Sequence, residues 1–285
     1  MTLRAYAKIN IGLHVVGKRP DGYHNIETVF HPIDLYDEVA IHEHEEEGIH
    51  FQSLGANLPN DHRNLCVRAA QLVMDVTGVH RGVEIVLIKR IPIGAGLGGG
   101  SSDAAAVLKG LVKLWSLDIT ASELELLGSS LGSDVPYFIR GGTAFATGRG
   151  EILEPLMITL PYWITVITPP IHISTAWAYR QLELRQQTMR TDWKILLTNG
   201  SRNPAELRSH LFNDFEEVVF RHHTEIKNIK DQLLKVGAEV ALMSGSGSSV
   251  FGLFHDKPAF DAISALFPSS YHLSVTSPSF HPLAA

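Results

Sequence analysis

Seven consecutive positions, Gly94-Ala95-Gly96-Leu97-Gly98-Gly99-Gly100, hold five glycines and run into Ser101-Ser102-Asp103. Glycine removes the side chains that keep a ligand off the backbone, and it permits the positive φ that turns successive N–H groups to one side. Ser101, Ser102 and Asp103 are capping types, and Ala104, Val107, Leu108, Leu111 and Trp115 follow at helical spacing. The loop therefore opens into a helix N-terminus, where unsatisfied N–H groups and the dipole favour an anion such as phosphate. The plainer reading is a glycine turn from a strand at Val83–Ile88 into a core helix. Gly94-x-Gly96-x-x-Gly99 also fits the letters of a dinucleotide fingerprint, whereas the absent Gly-Lys-Ser/Thr excludes a Walker loop.

Two further places offer chemistry. In the alternating segment 4–16, Ile9, Ile11, Leu13 and Val15 take one face of a strand and Lys8, Asn10, Gly12 and His14 the other. A lysine on a strand is usually a solvated one, but Lys8 and Asn10 beside the bare Gly12 suit a sheet approached closely by a ligand. Asp134 follows a helix predicted over Ala121–Leu131 and closed by Gly132, and it precedes Val135-Pro136. A residue before proline is pushed toward extended backbone, so Asp134 is expected at a helix-to-extended junction, as a carboxylate facing a cleft or as a turn residue.

The elements around these residues follow from turn chemistry and periodicity. Pro20-Asp21-Gly22 joins the first strand to Asn25–Phe30 as a hairpin, leaving Tyr23 and His24 at its exit, either as strand edge or as a platform for a base. A polar loop ending at Asn64 precedes a helix over Leu65–Val76 and borders the glycine loop's neighbourhood. Glu43-His44-Glu45-Glu46-Glu47 reads as a solvated turn. Beyond a composition shift at 152–161 come a strand at Trp163–Thr168 and a helix from Thr175. A polar, irregular stretch at Met189–Glu206 and helical patterning toward Leu234 follow, and then two strands flank Ser244–Ser249. The expected domains are 1–155 and 156–285.

At 285 residues and 45% hydrophobic, the chain is long enough for one large or two ordinary domains. A net charge of −6 gives no electrostatic reason to expect nucleic acid. The single cysteine, Cys66, excludes an intrachain disulfide. No run approaches the roughly 20 apolar residues of a membrane span, and the N-terminus has no apolar signal core, so a cytoplasmic location and no membrane partner are expected.

Taken together, Ala7-Lys8-Ile9-Asn10, Pro92 to Ser102, and Ser244-Gly245-Ser246-Gly247-Ser248-Ser249 resemble the three motifs of the GHMP kinases. Asp21-Gly22-Tyr23-His24, Gly132-Ser133-Asp134-Val135-Pro136 and Thr147-Gly148-Arg149-Gly150-Glu151 resemble the branch acting on a cytidine-diphosphate-linked methylerythritol, a step toward isoprenoid precursors. The resemblance implies an α+β, two-lobed GHMP kinase fold, with a ribosomal-S5-like N-terminal lobe and a ferredoxin-like C-terminal lobe. It also implies transfer of the ATP γ-phosphate to a hydroxyl. Lys8 and Asp134 would be the catalytic pair, and Pro92, Ile93, Gly94, Ala95, Gly96, Leu97, Gly98, Gly99, Gly100, Ser101, Ser102 and Asn64 the ATP site. Tyr23 and Tyr179 would sandwich the cytosine, with Trp177 as competitor for the second place. His24 and Asn10 would read its edge, and Thr175 would contact pyrimidine or ribose. Mg²⁺ is expected with ATP, Ser101 or Ser102 being its nearest hydroxyl, and its other ligands are not assigned. A monomer or homodimer is expected. Other GHMP kinases acting on homoserine, mevalonate or a sugar, a non-catalytic ATP-binding module and a dinucleotide oxidoreductase remain the alternatives.

Overall fold

The computed structural model describes residues 1–183, 192–200 and 203–282. Strand β1 (Thr2–Lys18) turns back at Gly22, whose φ is +85°, into the long β2 (His24–His44), with which it pairs antiparallel. β3 (Ile49–Leu54), α1 (Leu65–Thr77) and β4 (Gly82–Ile88) lead to the glycine loop and α2 (Gly99–Leu114). α3 (Ala121–Leu131), α4 (Val135–Arg140), β5 (Ala144–Thr147) and β6 (Ile152–Pro155) complete the first half. Its sheet runs β3-β4-β2-β5-β6, with β1 also paired to β2. Only β3 and β4 are parallel, because α1 supplies the crossover that parallel neighbours need.

The second half holds β7 (Trp163–Thr168), α5 (Thr175–Gln181), α6 (Trp193–Gly200), α7 (Pro204–His210), α8 (Phe215–His222), α9 (Thr224–Lys235), β8 (Val240–Met243), β9 (Val250–Phe254), α10 (Phe260–Ser264) and β10 (His272–Thr276). Its sheet is antiparallel, in the order β10-β7-β9-β8. Among the described residues no helix is long and apolar enough to cross a membrane.

β1 is the common wall of three cores. Leu3 and Ala5 pack with α1 and α2, Ala7, Ile9 and Ile11 pack against Ile164, Val166 and Phe251 of the second sheet, and Leu13 and Val15 join Phe215 and Val218 of α8. The shifts of register between Tyr6 and Lys8 and between Asn10 and Leu13 let one row of alternating residues reach all three. Burial of the inter-sheet residues welds the halves, at roughly 25 cal/mol per Å² of apolar surface removed from water. β1 therefore has no solvent face over its central residues.

Two expectations are corrected. The stretch read as irregular contains α6 and α7 where it is described; 189–191 and 201–202 lie outside the described residues. Trp193, Leu196 and Leu197 are buried at helical spacing, and Asn203 caps α7 with Pro204 in its first turn, so the signals were present but diluted by polar residues. Val135, expected extended, instead begins α4. A proline in the first turn lacks an N–H that has no helical partner anyway, which overrides the pre-proline preference.

Candidate active site

A cavity of about 1110 Å³ opens between the two halves, walled by β1, the β1–β2 turn, the glycine loop, the N-terminal end of α4, and α5. The protein is acidic overall, but among the described residues Lys8, Lys18, Arg63, Lys89, Arg149 and Arg180 face this cavity against only Asp103 and Asp134. The local excess of cations suits a polyanionic ligand.

Within the glycine loop the conformational demand is explicit. Gly96 and Gly98 have φ of +78° and +73°. A Cβ on Gly96 would lie 2.1 Å from the Ser244 carbonyl oxygen, and one on Gly98 would lie 2.6 Å from the Phe138 ring. Ser101, Ser102 and Asp103 were expected to cap the helix; instead Gly98 is the N-cap and α2 begins at Gly99, so the three sit inside its first turns. No side chain caps this end, and the first-turn N–H groups stay free for an anion.

Most of Pro92 to Ser101 lines the cavity, including Ile93 and Ala95. Leu97 and Ser102 do not. Leu97 is buried in the core between the sheets, and the Ser102 hydroxyl donates to the Tyr6 carbonyl at 2.7 Å. Ser102 is thereby corrected as a metal partner, whereas Ser101 faces the cavity with no hydrogen bond to its hydroxyl among the described residues. Asn64 also lines the cavity, with its amide used structurally: Oδ1 accepts from Cys66 N at 2.9 Å to cap α1, and Nδ2 donates to the Pro59 carbonyl at 2.8 Å.

Lys8 and Asp134, 126 residues apart by subtraction of their numbers, meet at the cavity floor: Nζ lies 3.4 Å from Asp134 Oδ2. The Lys8 ammonium also donates to Asn10 Oδ1 at 2.7 Å and sits 4.6 Å above the Phe30 ring. Its side chain is 5% exposed, that of Asp134 30%. Asp134 stands at the N-cap of α4 but makes no capping hydrogen bond, so its carboxylate is left to the cavity. A buried ammonium beside a half-open carboxylate can neutralise charge developing on a phosphoryl group and accept a proton from a bound hydroxyl.

Asn10 is corrected as a reader of a base edge. Its Oδ1 is taken by Lys8, and its Nδ2 donates to Thr28 Oγ1 at 2.9 Å, which donates to the Gly12 carbonyl at 2.6 Å. Asn10 orients Lys8. The bare position at Gly12 is filled by the Trp193 indole, 3.1 Å from where a Cβ would stand, and not by a ligand.

The aromatic wall also differs from expectation. Tyr179 stacks on His24, with centroids 4.7 Å apart and planes at 18°, while Tyr23, 57% exposed, lies 5.0 Å beneath the Arg149 guanidinium. The Tyr23–Tyr179 sandwich is therefore not assembled in this structure; Tyr23, His24 and Tyr179 line one end of the cavity. Trp177 does not line it and packs edge-on against His222 and His223. Burial, reinforced by the Asp134 charge, pushes the Tyr179 hydroxyl up to about 12, so it stays a neutral hydrogen-bonding group. Burial, with Lys18 nearby, lowers His24. Thr175 reaches the same wall, its hydroxyl 2.9 Å from that of Ser246.

Two supports stand behind these residues: the Ser244–Ser249 turn, which sequence reasoning named as a motif without a role, and a charged cluster under α2, which it missed. The Ser244 hydroxyl accepts from Asn10 N at 3.2 Å and donates to the Gly96 carbonyl at 2.9 Å, while Asn213 Nδ2 donates to the carbonyls of Met243 and Gly245. The late glycine-serine turn thus clamps β1 to the glycine loop. Beneath α2, Lys89 bridges Asp37 and Asp103, the latter at 2.8 Å. Asp37 Oδ1 accepts from Arg90 N at 2.5 Å and Ile91 N at 2.8 Å, but Asp103 Oδ1 is buried without a partner. Burial, with the Asp37 charge adding to it and Lys89 opposing, pushes the Asp103 carboxyl up to about 8. Burial also works against charge on Lys89, yet its contacts with Asp103 and Asp37 outweigh it and hold the ammonium above its usual value.

Family models place these features among known proteins. The model described as "GHMP kinases N terminal domain" matches residues 64–142, and "GHMP kinases C terminal" matches 196–272. A protein of Chlorobium phaeobacteroides (strain BS1) named 4-diphosphocytidyl-2-C-methyl-D-erythritol kinase is 43% identical over 282 residues, covering 98% of each chain. The chain belongs to the 4-diphosphocytidyl-2-C-methyl-D-erythritol kinase family of the GHMP kinases. A relative of that name from Prosthecochloris aestuarii (strain DSM 271 / SK 413) is 44% identical over 282 residues, again with 98% of each chain covered. A crystal structure of 4-(cytidine 5'-diphospho)-2C-methyl-D-erythritol kinase superposes with a TM-score of 0.81 at 35% identity, over 97% of this chain and 99% of that one. Homoserine kinase from Cytophaga hutchinsonii, at 18% identity and a TM-score of 0.71 over 97% and 94% of the two chains, shares the fold. The chain is a small-molecule kinase with the two-lobed α+β architecture of GHMP kinases.

Proposed function

We propose that this enzyme transfers the γ-phosphoryl group of ATP to a hydroxyl of 4-diphosphocytidyl-2-C-methyl-D-erythritol, with Lys8 and Asp134 at the reacting centre. The observation that carries the reading is their 3.4 Å approach beside an uncapped helix start. Phosphoryl transfer needs little covalent work from a protein, so positioning and charge stabilisation dominate. The N–H groups from Gly94 to Ser101 would hold the β- and γ-phosphates. Asp134 would orient the acceptor hydroxyl and take its proton, while Lys8, steadied by Asn10, would offset charge on the transferring group. Two substrates sharing one cavity keep the donor and acceptor in a common frame.

In this reading the end lined by Tyr23, His24, Tyr179 and Thr175 takes the cytidine, each base stack being worth about 1–3 kcal/mol. Insertion of the ring parts His24 from Tyr179. Asn64 and its loop take the adenosine end. Mg²⁺ suits this site because Ser101 offers a hydroxyl to a cation that prefers oxygen and arrives on the phosphates; when bound it supplies charge neutralisation at the β- and γ-oxygens. A lobe boundary at 155/156 and a cytoplasmic setting complete the proposal.

The test is acceptor-dependent ADP release. Turnover is expected with the cytidine-diphosphate acceptor and not with homoserine, mevalonate or galactose. Equal inactivity on the first, or preference for any of the others, defeats the assignment.

A further inference from the structure

The Glu43–Glu47 run lies away from the cavity, and the sheet gathers its histidines. In the β2–β4 register His42 stands opposite Glu84 and His44 opposite Gly82; in the β3–β4 register His50 stands opposite Glu84. Residues directly opposite share a face, so His42, His44, Glu84 and His50 all fall on one face. Ile41, Val83 and Ile85 occupy the other, in the core. Gly82, the first residue of β4, leaves the end of the first face bare. A Cβ there would stand 1.9 Å from the Glu46 carbonyl oxygen, so the turn closes directly over that glycine. The His44 and His50 rings, from strands on either side of β4, meet with centroids 3.8 Å apart.

We propose that His44, His50 and Glu46 form a binding site for a divalent transition-metal ion, Zn²⁺ foremost. Their donor atoms lie within 4.8 Å of one another. His44 Nδ1 and His50 Nε2 each approach the Glu46 carbonyl oxygen at 3.3 Å, and a ring that donates there keeps its other nitrogen as the lone-pair donor. The Glu46 N–H also donates to His44 Nδ1, at 3.1 Å, which is the tautomer that carries its proton on Nε2, so an ion on His44 Nε2 must displace that proton and turn the ring to donate to the carbonyl instead. Ring nitrogens oriented on a carbonyl are the usual support of metal-bound imidazoles. Among the described residues no cation pairs with the Glu46 carboxylate, so its charge is available to an ion. Zn–N and Zn–O bonds of about 2.0–2.2 Å place tetrahedral ligands roughly 3.4 Å apart, so binding must draw the three side chains together and turn the rings. Two imidazoles and a carboxylate favour borderline ions over Mg²⁺ or Ca²⁺. With three protein ligands at a surface turn, the ion acts as a staple across β2 and β3 and stands apart from catalysis.

Calorimetric titration of the EDTA-treated full chain with ZnCl₂ tests this. One equivalent is expected to bind with micromolar affinity and to survive excess MgCl₂. The double variant His44→Ala/His50→Ala should lose at least 100-fold in affinity, and Glu46→Gln, at an exposed position that does not threaten folding, about 10-fold. Turnover of both variants should match the parent. Absence of saturable binding, or equal affinity in the variants, overturns the site.

Discussion

Replacing Asp103 by asparagine changes one proton and almost no volume, and the structure sets the sign and size of the effect. Asp103 is buried, its Oδ1 has no partner, and its carboxyl is pushed from an ordinary 3.8 up to about 8. A carboxyl whose folded value lies above its unfolded value holds a proton in the native state that the unfolded chain has released. Its contribution is complete below pH 4 and is lost as pH rises toward 8. Between pH 5 and 7 the native state holds about one more proton than the unfolded chain, so stability falls by about 1.4 kcal/mol per pH unit through this group. That slope requires only that the folded value lie above 7. The amide introduced by Asp103→Asn cannot titrate and keeps an oxygen for Lys89. Urea unfolding of parent and variant at pH 5, 6 and 7 should therefore show the variant gaining relative stability by about 1.4 kcal/mol for each unit, because the other titrating groups cancel in the difference. Parallel pH profiles would refute a protonated Asp103.

Other expectations follow from the same geometry. Gly96→Ala must place a side chain at φ +78° and 2.1 Å from the Ser244 carbonyl. Left-handed backbone alone costs about 1–2 kcal/mol, so the loop shifts and KM for ATP rises at least 10-fold in steady-state assays; an unchanged KM contradicts the close contact. Asn10→Ala frees the Lys8 ammonium and should lower kcat about 100-fold while ATP binding, read by calorimetry, stays within 3-fold. A loss confined to acceptor KM would return Asn10 to the base. Burial holds His31 down to about 4, so the unfolded chain takes up a proton first as pH falls through 6.5, and stability is lost from there to pH 4. His31→Gln should flatten that loss in thermal melts from pH 6.5 to 4.5, and an unaltered profile speaks against a neutral, half-buried ring.

Much of this was legible locally. The glycine loop, the β1–β2 hairpin, α1, α3 and β7 each carry a periodicity or turn chemistry within a short window, and the matching elements stand there. Lys8 and Asp134 could be paired only by resemblance, since no local rule brings residues of β1 and α4 together. The Asp37–Lys89–Asp103 cluster joins three distant segments, and nothing local to any one of them announces the other two. Asn10 was misread because its partner Thr28 comes from a neighbouring strand whose register the sequence does not print. The side chains of Ser102 and Leu97 turn away from the cavity for a related reason: a loop that winds into a helix turns some residues inward, and the phase of that winding follows from Gly98 being the N-cap.

The most direct measurement is made on Asp134→Asn, the variant that removes the charge and keeps the shape. Binding of a non-hydrolysable ATP analogue, read by calorimetry, and acceptor-dependent ADP release, read by a coupled assay, should separate: affinity within a few-fold of the parent and turnover lower by at least 1000-fold. Turnover near the parental rate would remove Asp134 from the reaction and contradict the Lys8–Asp134 centre.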